Sequence, residues 1–416
     1  MPKDRDLPLQ ARITRRQLLG LGGAFGAGAL IGGSSVFARE AVADEGTVEF
    51  YGEHQSGIAT PQQDRLHFAA FDLTVSGRDE IRALMREWSD AAAKMCAGEL
   101  VGAENENAFI PPDDTGEARD LTPGRLTITF GFGPTLFSKG GEDRFGLEAA
   151  RPAELAEIPE LPGDNLNPDL SGGDLCVQAC ADDPQVAFHA VRNLARIGRG
   201  RAVMRWSQLG FGRTASTSRA QATPRNLMGF KDGTNNIHFE DEDLMNRYVW
   251  AGRDPDWMLG GTYLVARRIR MLIEIWDRTA LMDQEQTMGR HRKSGAPLGR
   301  EDEFDEIDFT AKGPDGLPLT PPDSHIRLAR ENMKGEQLLR RGYSFTDGMD
   351  PRTAQLDAGL FFICFQRDPR EQFVPLQRRL GQNDRLNEYI QHTGSAVFAC
   401  PPGAQQGGYV GEGLFL

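Results

Sequence analysis

Two periodicities alternate along this chain, and their order limits the folds open to it. Apolar residues recur at every second position in 67–75, 126–130 and 269–276, the spacing of strands with one buried face. Residues 175–180 form an apolar run, and 359–365 is more uniformly apolar, as a central strand is. Residues 78–95 instead carry Ile81, Leu84, Met85 and Trp88 on one helical face. Asp183-Pro184 opens a second helix bearing Val186, Phe188, Val191, Leu194 and Ala195, with proline where a first turn needs no donor. A third helix begins at Phe373, after Asp368-Pro369, and runs to Leu380. The order is strand–helix–strand, then strand–helix, roughly twice. An α+β fold of antiparallel sheets with helices on one face is the natural solution.

Between these elements lie long polar segments, 99–120, 149–173 and 281–320, fed by 48 Gly and 24 Pro among 416 residues. Loops of that length in a compact domain tend to serve function. The halves divide near residue 215, giving 44–215 and 216–416. The formal charge is −13. Nucleic-acid binding is therefore not expected, because neutralising phosphates needs a basic footprint.

The charge is unevenly placed. Residues 1–43 hold six basic and three acidic residues, leaving 41 basic and 57 acidic in the remainder, a net of −16. A basic leader ends at Arg16, a Gly- and Ala-rich apolar stretch follows, and Ala41-Val42-Ala43 is a small-x-small cleavage pattern. Thr14-Arg15-Arg16-Gln17-Leu18-Leu19 resembles a twin-arginine export signal. The alternative is a retained anchor, although the glycines make a weak apolar span. Residues 1–43 are read as a twin-arginine signal peptide, with the translocase as partner and a periplasmic or extracellular destination.

Five cysteines are too few for a disulfide scaffold. On one strand, Cys176 and Cys180 would lie about 13 Å apart, too far to bridge. Buried free thiols are expected. Seven histidines include no H-x-x-x-H or H-E-x-x-H pair, so a zinc protease is not supported. His325 stands out by context, in Pro321-Pro322-Asp323-Ser324-His325-Ile326-Arg327-Leu328-Ala329. Arg340 and Arg341 follow it. Upstream, Gly229-Phe230-Lys231-Asp232-Gly233 is a G-x-x-D-G pattern among turn formers. Taken singly, these are an ordinary helix start, a solvated arginine pair and an Asp-Gly turn.

Together they resemble the dye-decolourising peroxidases, a family of haem proteins, and in particular the secreted branch described as deferrochelatase/peroxidase. The likeness runs through nearly the whole chain after the leader. It includes Tyr51-Gly52-Glu53-His54, Thr129-Phe130-Gly131-Phe132-Gly133-Pro134, Gly229-Phe230-Lys231-Asp232-Gly233-Thr234-Asn235 and Ser324-His325-Ile326-Arg327-Leu328-Ala329.

The resemblance implies two ferredoxin-like α+β halves with antiparallel sheets, and one haem b per chain in the C-terminal half. It implies His325 as axial ligand of the iron. Asp232 and Arg340 become the catalytic pair on the opposite face, one moving a proton and the other stabilising negative charge. Gly233, Thr234, Asn235 and Arg330 are expected at the cofactor's edge, although Arg330-Glu331-Asn332 departs from the commonest Asn-Pro-Arg version. Arg341 is expected to bind elsewhere. Glu388 is the candidate carboxylate behind the ligand.

The implied reaction reduces hydrogen peroxide and oxidises aromatic or dye-like donors through a ferryl porphyrin radical. Two alternatives accompany it: a deferrochelatase that frees iron from haem with the porphyrin intact, and a non-catalytic haem carrier. An iron-uptake permease as partner and a homo-oligomeric assembly complete the expectations.

Overall fold

The structure, a computed structural model, describes residues 46–102, 107–253, 255–330 and 335–416. The leader lies outside the described residues. Among those described, nine strands form one sheet, all of whose strand pairs are antiparallel: β1 (Arg65–Leu73), β2 (Thr127–Phe132), β3 (Leu175–Ala181), β4 (Ala202–Arg213), β5 (Thr262–Met271), β6 (Leu339–Arg340), β7 (Tyr343–Asp350), β8 (Gln355–Gln366) and β9 (Ile390–Cys400).

The first four strands lie in the order β2-β3-β1-β4. The last five repeat that arrangement as β9-β5-β8, with β6 and β7 successive on the far side of β8. β9 meets β2 at Phe132–Ala399, and β7 meets β4 at Phe211–Ser344 and Arg213–Tyr343. The two sets therefore close into a ring, which removes most exposed strand edges. The described residues cluster as one compact unit.

Strand alternation divides the core. Leu66, Phe68, Ala70, Leu264, Phe361 and Phe398 join a cluster on one face. Ala69, Phe71, Val177 and Val265 face the opposite way and meet α1 (Arg78–Cys96) and α2 (Pro184–Ile197) through Ile81, Leu84, Trp88, Val186 and Leu194. The Asp183 carboxylate caps α2, accepting from Gln185 N at 2.7 Å, and satisfies a donor the helix cannot. The five cysteines are free and buried.

One strand expectation needs correction. Residues 269–276 are not a single strand: β5 runs Thr262–Met271, and Ile273–Trp276 is a helical turn. The apolar alternation of β5 is interrupted by Arg267, Arg268 and Arg270, yet all ten of its residues are buried. Arg267 pairs with Asp164, Arg268 with Asp347 (2.7 Å) and Asp357 (2.9 Å), and Arg270 with Asp350 (2.9 Å). Three arginines in a central strand are tolerable only because each meets a carboxylate from a distant segment. The segment 281–320 likewise opens with a helix, α3 (Leu281–Met288), before becoming the expected loop.

Candidate functional site

His325 is the first residue of α4 (His325–Arg330). Ser324 fixes that start: its hydroxyl donates to Pro321 O at 2.7 Å, and its carbonyl accepts from Leu328 N at 3.1 Å. The ring is held from behind. Nδ1 lies 2.6 Å from Oδ2 of Asp384, whose Oδ1 accepts from Leu386 N at 2.9 Å. Asp384 follows α5 (Phe373–Asn383) and caps the next turn, so one buried carboxylate serves the backbone and the imidazole together. Burial opposes protonation of the ring, but the Asp384 carboxylate outweighs it, and the pKa of His325 is raised. With Nδ1 engaged, Nε2 is the nitrogen left for the cavity that His325 lines.

Glu388 does not hold that place. It is exposed at the end of the turn Arg385–Glu388 and lies outside the cavity lining. The partner is Asp384, four residues earlier. Asp384 ends a helix, and in sequence such a residue reads only as a terminator.

Across the cavity, a tight turn carries Asp232. Gly233 sits at φ +94°, and a Cβ there would meet Ala215 Cα at 2.8 Å, so only glycine lets the turn pack down. The carboxylate of Asp232 accepts from Arg340 Nη1 at 3.1 Å and from Asn226 Nδ2 at 3.2 Å. Thr234 Oγ1 donates to Glu303 Oε1 at 3.0 Å, and Lys231 pairs with the same carboxylate. The long loop 289–320 is thus pinned to the Asp232 turn. Arg341, next to Arg340, points away: it is fully buried and donates to Thr60 O at 2.7 Å.

Asp232, Gly233, Thr234, Asn235, His325, Arg330 and Arg340 all line one cavity that is open to solvent at its mouth. Met228, Phe230, Met271, Leu360 and Phe362 supply apolar walls. Lys231 is neutralised by Glu303, Arg340 by Asp232 and Glu336 by Arg379. Arg290 and Arg330 are different: among the described residues neither has a carboxylate within ion-pair distance. Arg290 donates to Glu303 O at 2.9 Å, and Arg330 to Asn235 Oδ1 at 3.2 Å.

Burial, and then the neighbouring guanidinium charges of Arg330 and Arg340, bring the pKa of Arg290 down to about 10. Burial lowers that of Arg330 too. Two cations with no carboxylate at ion-pair distance, an imidazole with one nitrogen tied back and apolar walls suit a flat, largely apolar ligand bearing two carboxylates. Haem has those features, so the residues fit the cofactor that the resemblance implies. Sequence reading missed Asp384, Arg290 and Asn226. None carries a local motif beyond an isolated polar residue.

Comparison with known proteins gives the family. Residues 55–212 match the family described as Dyp-type peroxidase, N-terminal, and residues 223–405 its C-terminal counterpart. A protein of Yersinia pseudotuberculosis named deferrochelatase is 36% identical, with 96% of this chain and 94% of that protein covered. The Escherichia coli K12 protein of the same name is 37% identical over 88% of this chain and 86% of its own length. Among solved structures, DtpA from Streptomyces lividans, recorded as an oxyferrous/water mixed complex, superposes with a TM-score of 0.81 at 41% identity, covering 89% of this chain and 98% of its own. A DyP-type peroxidase from Cellulomonas bogoriensis gives 0.79 at 38% identity, with 88% and 98% covered. The α+β fold, the haem cofactor and the enzymatic class that the sequence implied are those of this group, and the chain belongs to the Dyp-type peroxidase family.

Proposed function

We propose that this protein reduces hydrogen peroxide at a haem that His325 Nε2 would hold, with Asp232 and Arg340 as the acid–base and charge-stabilising pair in the same cavity. The observation that carries the reading is the convergence, in one apolar-walled cavity, of an imidazole backed by a buried carboxylate and a 3.1 Å Asp–Arg pair. When bound, haem supplies the iron that takes two electrons' worth of oxidation from peroxide and returns it in single-electron steps to organic donors.

The chain's own residues do the rest. Asp384 accepts the Nδ1 proton of His325, fixing the tautomer and making Nε2 a stronger donor to a metal. Arg290 and Arg330 would hold the two carboxylates of the haem. Asp232 Oδ2, the oxygen not held by Arg340, accepts a proton from one peroxide oxygen and delivers it to the other. The Arg340 guanidinium, always charged, stabilises the negative charge that develops as the O–O bond lengthens.

Stopped-flow mixing of the haem-loaded protein with peroxide tests this. Asp232→Asn and Arg340→Leu should each slow the first spectral change on the order of 10²-fold or more. An Arg340→Leu variant reacting at the wild-type rate would refute the assignment. His325→Ala should abolish the wild-type haem spectrum.

The relatives named deferrochelatase favour a second reading, release of iron from haem with the porphyrin intact. Recovery of metal-free porphyrin after incubation with haem supports it; its absence under turnover conditions removes it. The acid–base pair argues against a mere carrier, which has no use for one. Export by the twin-arginine translocase rests on Thr14-Arg15-Arg16-Gln17-Leu18-Leu19. An Arg15→Lys, Arg16→Lys double variant should stay in the cytoplasm. Among the described residues no helix is long and apolar enough to cross a membrane. A homo-oligomer and an iron-uptake permease partner remain part of the proposal, tested by light scattering and co-purification.

A further inference from the structure

We propose that Asn236 is a positioning residue that sets Arg340 against Asp232. The idea rests on the peroxidase reading of the site. Arg340 ends the two-residue strand β6, paired to β8 at Cys364. Neighbouring peptide groups point to opposite sides of a strand. Arg341 N donates to Ile363 O at 2.8 Å, so that side of the ribbon is tied to β8. The N–H and C=O of Arg340 face the other side.

There the side chain of Asn236 takes the place of a strand: its Oδ1 accepts from Arg340 N at 2.8 Å, and its Nδ2 donates to Arg340 O at 2.8 Å. The second Nδ2 hydrogen goes to Ser216 O at 2.9 Å. Both amide donors and the carbonyl are used, so the orientation of the group is set by its partners.

Asp232 immediately precedes, and Asn236 ends, the turn closed by Asn236 N donating to Gly233 O at 3.1 Å. The segment 232–236 therefore holds Arg340 at two ends, main chain by Asn236 and guanidinium by Asp232. The guanidinium is not immobilised by packing, since the Arg340 side chain keeps 28% of its exposure. Its reach is set by where the main chain is anchored. Alanine at 236 strands two peptide groups of Arg340 and one of Ser216, and the cheapest relief is a shift of β6 toward water. A displacement on the order of 1 Å in such a constellation costs on the order of 10²-fold in rate.

The test uses the haem-loaded full chain. Asn236→Ala should slow the reaction with peroxide ten- to a hundredfold and weaken equilibrium binding of fluoride, an anion that Arg340 would stabilise, read from the haem absorption. The later steps with an organic donor should keep their wild-type rates. In an Arg340→Leu background, Asn236→Ala should add no further loss to either readout, because the residue acts through Arg340. If Asn236→Ala does not load haem, Asn236→Ser carries the same measurements. Wild-type peroxide rate and fluoride affinity in the single variant overturn the proposal, as does an undiminished effect in the Arg340→Leu background. Unaltered peroxide kinetics in Asp232→Asn would instead bring down the peroxidase assignment of the site itself.

Discussion

Replacing Asp384 with Asn tests the part of the site that sequence reading put elsewhere. The native carboxylate makes two bonds, 2.6 Å to His325 Nδ1 and 2.9 Å to Leu386 N. Its side chain is only 3% exposed, so water cannot substitute. Asparagine preserves volume and can still accept from one group, but it removes the charge and leaves an amide N–H without an acceptor. Hydrogen bonds to charged groups contribute about 1.5–3 kcal/mol, and loss of such a partner behind a metal ligand costs about 10–100-fold in affinity or activity. Tenfold corresponds to about 1.4 kcal/mol, so the two scales agree.

The assay is haem titration of the apoprotein followed by absorbance, with Glu388→Gln as control. Asp384→Asn should weaken haem binding by that factor and move the haem spectrum toward that of a less electron-donating ligand. Glu388→Gln should match wild type. The reverse pattern would refute the account of how His325 is held.

Three further outcomes follow from the packing. Gly233→Ala forces a Cβ to 2.8 Å from Ala215 Cα at φ +94°; a loss of at least about 1–2 kcal/mol is expected from the backbone alone, read as a lower urea midpoint, and an unchanged midpoint would show that the turn yields. Arg267→Ala leaves Asp164 buried without its partner, and a loss of about 3–5 kcal/mol is expected; Arg125→Ala, which breaks the 2.6 Å pair with Asp182 at the surface, should cost about 0–1 kcal/mol, and equal effects in thermal melts would contradict the distinction.

Burial holds His67 down at about 4 and His392 at about 3. Unfolding lets both titrate near their ordinary value, so the unfolded chain binds more protons between those limits. Stability is therefore fully present above about pH 6.5 and declines as pH falls toward 4 and then 3, each histidine contributing on the order of a few kcal/mol. His67→Leu should flatten the acid slope of the urea midpoint; an unchanged slope would count against a neutral buried ring.

Much of the fold was legible because burial leaves a periodic trace. The helix 78–95 and strand 126–130 follow from apolar spacing alone, and both occur within a residue or two of the expected bounds. β5 was misread because its arginines mimic a solvated strand until their carboxylates are seen. Those partners, Asp164, Asp347 and Asp350, lie 79 to 103 residues away. Of the site, His325, Asp232 and Arg340 were legible through a motif resemblance, not through spacing. Asp384, Asn236 and Arg290 were not legible, because what distinguishes them is a partner across the fold.

By itself the sequence determined the alternation of strands and helices, the net −16 beyond the leader, and the residue types able to bind iron and move a proton. Those properties are carried by single residues and short periods. Only the tertiary structure decided that the two strand sets close into one ring. It also decided that His325 rests on Asp384 and that Asn236 caps the main chain of Arg340. Hydrogen bonds and ion pairs act over a few ångströms of space, whatever their separation in sequence. Which carboxylate or amide reaches a given group is therefore fixed by packing.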